Sequence, residues 1–222
     1  DYIDARDDEV IVNFSLLYAY APLLKEEEKK YENYSKSIRR RAAIIGGHNM
    51  DDYPLKMHVF NRARLIKNSK NRIPYGVDLI QKYRRESWIV FTENKKQAKE
   101  FNKIINKKGF KSALYNTDLD SGERLENLNK FKKADLNVLV TCTALDEGFD
   151  MPEADGALIL SASSSKRQRV QRMGRVLRIT ENKPNALIVT VYSSKTEFDK
   201  LMEEAKRYHK EGVPVSWKRQ DR

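Results

Sequence analysis

Cysteine is nearly absent from this chain of 222 residues: the single Cys142 excludes an internal disulfide framework and any cysteine-rich zinc site. Histidine is also scarce, and His48, His58 and His209 are too scattered to suggest a metal site, so none is expected. No apolar run approaches the roughly 20 residues that cross a bilayer, and no secretory signal opens the chain. An intracellular location, in cytoplasm, nucleoid or nucleus, is therefore expected, with no membrane partner. Phosphate-gripping loops are missing as well. No Gly-x-x-x-x-Gly-Lys-[Ser/Thr] occurs, and the glycine pair Gly46-Gly47 has the wrong followers. Nor does any Asp-Glu-x-His or Asp-Glu-Ala-Asp string supply carboxylates for a metal and a water. The chain alone cannot be a complete ATPase. The absence of Gly-x-Gly-x-x-Gly after a strand likewise disfavours a dinucleotide-dependent oxidoreductase. The sequence begins at Asp1 and not Met, so an excised fragment is expected.

What the chain has in excess is positive charge. Its 43 Lys and Arg outnumber 32 Asp and Glu, giving +11 at pH 7 and favouring a polyanionic partner. The charge is densest between Ser161 and Arg178, where Lys166, Arg167, Arg169, Arg172, Arg175 and Arg178 occur without one acid. Arginine presents a planar fork of donors to phosphate oxygens, which suits Gln171-Arg172-Met173-Gly174-Arg175-Val176-Leu177-Arg178 to a polyphosphate. A solvated basic helix is the competing reading. Aromatic residues do not interleave with these cations, which argues for phosphate tracking over base reading.

From Trp88 onward, apolar runs alternate with helical segments, as βαβ units require. Strands are expected near Trp88 to Phe91, Ser112 to Tyr115, Val138 to Thr141, Ala157 to Leu160 and Ala186 to Val191. Val138-Leu139-Val140 and Ala157-Leu158-Ile159-Leu160 are apolar along their whole length, which belongs in a parallel sheet covered on both faces. Lysines crowd the last turn of the helix over Lys95 to Lys108, and Gly109-Phe110 makes a stop. Asp120-x-x-Glu123 and Ser165-x-x-Gln168 have capping-box spacing. Residues 1–86 read as mainly helical, after a short strand at Val10-Ile11-Val12. Tyr31, Tyr34, Ile38 and Ile45 lie near one helical face ended by Gly46-Gly47. Further helices are expected over Leu55 to Lys67 and Tyr75 to Arg84, with a polar turn from Asn68 to Pro74.

Three ordered motifs carry a resemblance. Gly148-x-Asp150-x-Pro152, then Gln171-x-x-Gly174-Arg175-x-x-Arg178, resemble motifs V and VI of the second RecA-like domain of superfamily-2 helicases and translocases. Ile89-Val90-Phe91-Thr92-Glu93-Asn94 resembles motif IV. The match spans about Trp88 to Tyr192. The Gln-Arg-x-Gly-Arg-Val-Leu-Arg form is most similar to XPB-like DNA translocases, while Glu147-Gly148-Phe149-Asp150 resembles UvrB-like and restriction-enzyme motors.

The resemblance implies an α/β fold: a RecA-like parallel sheet with helices on both faces. Residues 1–86 become a helical linker or extension following a missing first motor domain, 87–212 the helicase C-terminal domain, and 213–222 a basic tail. It implies that Arg175 and Arg178 act as catalytic arginine fingers. Gly148, Asp150 and Gln171 would bind ATP, Asp150 by accepting from a ribose hydroxyl. Thr92, Asn94, Thr143, Lys166 and Arg167 would meet nucleic acid. Cys142 stands where many relatives carry a nucleic-acid-contacting Thr or Ser, and Thr143 is its expected substitute. ATP with Mg2+ would be held mainly by a separate P-loop domain, in cis or in trans. DNA is the substrate expected from the motif form, with RNA left open. The alternative is a non-catalytic nucleic-acid-binding module that keeps the fold without turnover.

Overall fold

A computed structural model describes residues 13–142, 154–161 and 185–220. Thirteen elements follow in order among them: β1 (Phe14–Tyr20), α1 (Lys25–Ile45), α2 (Tyr53–Lys67), α3 (Arg72–Lys82), β2 (Trp88–Thr92), α4 (Lys95–Lys107), β3 (Ser112–Tyr115), α5 (Ser121–Lys132), β4 (Val138–Cys142), β5 (Gly156–Ile159), β6 (Ala186–Tyr192), α6 (Lys195–Lys210) and β7 (Val215–Arg219). The strands form one sheet in the order β3-β4-β2-β5-β6-β1-β7, and every pairing is parallel.

Alternation along these apolar strands sends successive side chains to opposite faces, so two cores form. Leu16, Ile89, Phe91, Leu139, Ile159 and Ile188 meet Leu128 and Phe131 of α5 and Leu201 and Tyr208 of α6. Their neighbours Leu17, Val90, Val140, Leu158 and Val189 meet Val77 and Ile80 of α3 and Phe101 and Ile105 of α4. A sheet buried on both sides must be apolar at every position, which is the pattern read for β4 and β5. Packing is close enough to need glycine. A Cβ on Gly156 would lie 2.6 Å from the Trp88 ring, and one on Gly76 would lie 2.6 Å from Leu160 Cδ2.

Local chemistry ends the helices where the sequence implied. Phe110 N donates to Ile105 O and Gly109 N to Asn106 O, with Gly109 at φ +87°; this is a Schellman stop. Asp120 caps α5 by accepting from Glu123 N at 2.9 Å. Ser165-x-x-Gln168 and Val10-Ile11-Val12 lie outside the described residues.

Three expectations change. The amino-terminal region contributes a full strand, because Phe14–Tyr20 pairs with all seven residues of β6. Apolar runs this short do not distinguish strand from buried helix, and the partner that decides lies at the other end of the chain. The segment read as a basic tail contains β7, whose Leu16–Tyr20 partners run in parallel register. Trp217 holds it there, its ring 4.7 Å from Tyr18 and 5.1 Å from Phe198. Finally, α3 begins at Arg72 rather than Tyr75; Pro74 sits in its first turn, where a missing N–H breaks no helical hydrogen bond.

Candidate functional site

Because all strands are parallel, Tyr20, Thr92, Tyr115, Cys142, Ile159, Tyr192 and Arg219 end at one edge of the sheet. The chain leaves β2 toward β3 and leaves β5 toward β6, so its direction reverses between these hydrogen-bonded neighbours. Ligands in open α/β sheets bind beyond the carboxyl ends at such a reversal. Thr92 and Ser161 flank it, and Leu160 N donates to Phe91 O at 3.0 Å across it.

Thr92 is 1% exposed. Its hydroxyl donates to Thr141 O at 2.9 Å and lies 3.2 Å from Asn94 O. Asn94 caps α4, accepting from Gln97 N at 3.0 Å, while its amide donates to Asn68 Oδ1 at 2.7 Å. Both side chains therefore hold the turn that follows β2. Cys142 is a free, buried thiol. Gly148, Asp150, Gln171, Thr143, Lys166, Arg167, Arg175 and Arg178 lie outside the described residues.

The turn after β2 is also where α2 is fastened. Lys67 Nζ pairs with Glu93 Oε1 at 2.6 Å, and Gln97 Nε2 donates to Lys67 O at 2.8 Å. At the β3 corner, Lys95 and Lys99 both pair with Asp118. Hydrogen bonds from Lys95 and then Lys99 hold its carboxyl below the usual carboxylate range. Burial pushes the Tyr115 and Tyr192 hydroxyls up, against opposing effects of Arg124 and Arg219, so both are neutral phenols at pH 7. Among the described residues no group of three or more His, Cys, Asp or Glu gathers to hold a metal. No described helix is long and apolar enough to cross a membrane.

Sequence reasoning missed the most constrained residue at this edge. Arg72 is completely buried. Its Nε donates to Ile66 O at 2.9 Å and Ser69 Oγ at 3.1 Å. Nη1 donates to Leu160 O and Val191 O, each at 2.7 Å, and Nη2 spans both Glu197 oxygens at 2.7 and 2.6 Å. Glu197 Oε2 also accepts from Ser193 N at 2.8 Å, while Ser194 caps α6 through Glu197 N. Ser194-x-x-Glu197 after an apolar run was a readable capping signal; nothing local marked Arg72 as its partner.

A parallel sheet covered by helices on both faces, with this reversal, is a doubly wound α/β fold, and its likeness to a helicase domain of known structure makes it RecA-like. Residues 71–180 match the helicase conserved C-terminal domain. The chain is 28% identical over 202 residues to the DNA 3'-5' translocase XPB2 of Sulfurisphaera tokodaii, covering 84% of this chain and 44% of that protein. It is 30% identical over 125 residues to UvrABC system protein B of Fusobacterium nucleatum, covering 53% and 19% respectively. It therefore spans less than half the length of these relatives. The C-terminal domain of the DEAD-box protein Dbp5 has the same fold, with TM-score 0.59 and 19% identity, covering 68% of this chain and 85% of that one. The chain therefore carries a helicase C-terminal domain of the superfamily-2 kind, XPB-like in its motifs.

Proposed function

We propose that the chain is the C-terminal half of an ATP-dependent DNA translocase, completing an ATP site whose P-loop wall belongs to another domain, in cis or in trans. The observation that carries this is the reversal between β2 and β5 at the carboxyl edge. Ser161 leaves that edge, and in sequence it opens the basic run that includes Arg175 and Arg178. Similarity to an XPB2 translocase over 84% of the chain supports DNA as the track.

In this reading Arg175 and Arg178 stabilise charge on the transferred phosphoryl group, and Gln171, Gly148 and Asp150 contact the nucleotide. ATP arrives with Mg2+ held by the P-loop domain. Thr143, Lys166 and Arg167 follow nucleic-acid phosphates, and the turn held by Thr92 and Asn94 supports that track. Helices α1 and α2 lie in sequence between β1 and β2 of the same sheet, so they form an extension of this half of the motor.

The test is DNA-stimulated ATP hydrolysis by the chain joined to its P-loop domain. Arginine fingers contribute about 10³ to 10⁵ in rate, and they act in the transition state more than in ground-state binding. Arg175→Ala and Arg178→Ala should each lower kcat at least about a hundredfold with little change in ATP affinity, and Arg169→Ala should do much less. Equal, mild losses at all three positions would reduce the segment to a basic surface.

A further inference from the structure

Arg72 has no part in the motifs above, yet among the described residues its guanidinium is the most fully engaged polar group at the carboxyl edge of the sheet. A guanidinium has five N–H groups. Here Nε is directed at Ile66 O and Ser69 Oγ, the Nη1 pair at Leu160 O and Val191 O, and the Nη2 pair at Glu197. One side chain thus ties the last turn of α2, the loop before α3, the exits of β5 and β6, and the first turn of α6. Ser69 Oγ and Ser193 Oγ, 3.2 Å apart, add a second tie beside it.

Stability alone is a poor explanation. Replacing a buried ion pair by apolar groups of similar volume is often neutral or stabilising, so a fold selecting only for stability would have little use for this one. The pair does something an apolar pair cannot. It fixes the positions of two strand-end carbonyls, one of them on the last residue before Ser161.

We propose that Arg72 is a positioning residue for the motor reaction: anchored by Glu197, it sets the exit of β5 at Leu160–Ser161 relative to β6 and to the base of α2. This rests on the reading of the chain as a motor half. Arg72 touches no substrate in this proposal; it acts through the backbone it holds. Misplacement of reacting groups by about 1 Å can cost on the order of a hundredfold in rate, and the carbonyl anchors at 2.7 Å are the restraint against it.

The decisive variant is the double replacement Arg72→Met/Glu197→Met, which removes both charges at once. Because Leu160 O, Val191 O and the Ser193 N–H lose their partners, its denaturant midpoint should fall while the variant stays folded, and by less than for Glu197→Ala, which leaves a charge unpaired. Amide exchange at Ser193, whose N–H loses its acceptor, and at Leu160 should quicken at least about tenfold relative to Val90 and Val140 in the core. In the chain joined to its P-loop domain, kcat for DNA-stimulated hydrolysis should fall about 10- to 100-fold while KM for ATP moves less than about threefold. A folded double variant with kcat within about twofold of the unaltered motor would overturn the proposal, as would unchanged exchange at Ser193 and Leu160.

Should the double variant not fold, Arg72→Lys decides the matter, because an ammonium keeps the charge but cannot direct two donors at the carbonyls and two at the carboxylate. It should lose kcat similarly; full activity would overturn the assignment. Arg175→Ala measured alongside separates the two readings. If it leaves kcat unchanged the finger assignment fails, and the amide exchange still judges Arg72. If it abolishes turnover and the Arg72 variants do not, only the positioning role falls.

Discussion

Two charge clusters sit on the same edge of the sheet and are built to different standards. At the β5–β6 corner Arg72 and Glu197 are 0% and 6% exposed, and every donor has an acceptor. At the β2–β3 corner Lys95 and Lys99 share Asp118 with 44%, 58% and 31% of their side chains in solvent. The chemistry is the same, an ammonium or guanidinium against a carboxylate. Water makes the difference. An exposed pair trades one set of hydrogen bonds for another and contributes little, whereas a buried pair is tolerated only when its geometry satisfies everything removed from water. The buried corner therefore specifies backbone positions, and the exposed corner decorates a surface.

The sharpest way to break this comparison is to remove one carboxylate from each corner. Glu197→Ala leaves a guanidinium in the core without its counter-charge and should cost about 3–5 kcal/mol of unfolding free energy. Asp118→Ala should barely move the denaturant midpoint. Comparable losses from the two would mean that burial does not distinguish the corners.

A smaller effect probes the other end of β5. Gly156 lies against Trp88, and an added methyl would stand 2.6 Å from the ring. Trp88 is fully buried and cannot swing into solvent. Gly156→Ala should therefore cost about 1–3 kcal/mol by overpacking, read as a lower midpoint with an unchanged denaturant slope. Stability equal to that of the unaltered chain would show that β5 is held only at its carboxyl end.

The two corners also differ in how much of them could be read from sequence. The Lys-rich helix with its Gly109 stop and the capping residue Asp120 are local features, and local spacing exposes them. Strands β2, β4, β5 and β6 were legible because burial on both faces leaves a nearly continuous apolar run. β1 has the same run, but its identity as a strand depends on Ala186–Tyr192 far along the chain. β7 alternates Val-Ser-Trp-Lys-Arg at the sheet margin, where charge and partial exposure conceal it. Arg72 was invisible for a related reason: its carboxylate is 125 positions away, and between Asn71 and Ile73 it looks like any basic residue in a basic chain. Local motifs announce a site; the residue that holds its scaffold emerges only when distant segments meet.

The smallest predicted effect comes from titrating the exposed corner. Hydrogen bonds from Lys95 and Lys99 lower the Asp118 carboxyl in the folded chain, while an unfolded aspartate titrates near about 3.9. A carboxyl lowered on folding contributes stability that is fully present above the unfolded value and is lost as pH falls through the folded one. The loss should begin near about pH 4 and grow below it. Asp118→Asn should flatten that part of the stability profile slightly and leave neutral pH almost unaffected. Raising the salt should shrink the difference, because exposed pairs are screened over about 10 Å at 0.1 M, whereas the penalty of Glu197→Ala at pH 7 should survive the same salt. A contribution from Asp118 that ignored both acid and salt would place it in the same class as the buried pair, and the contrast between the corners would be lost.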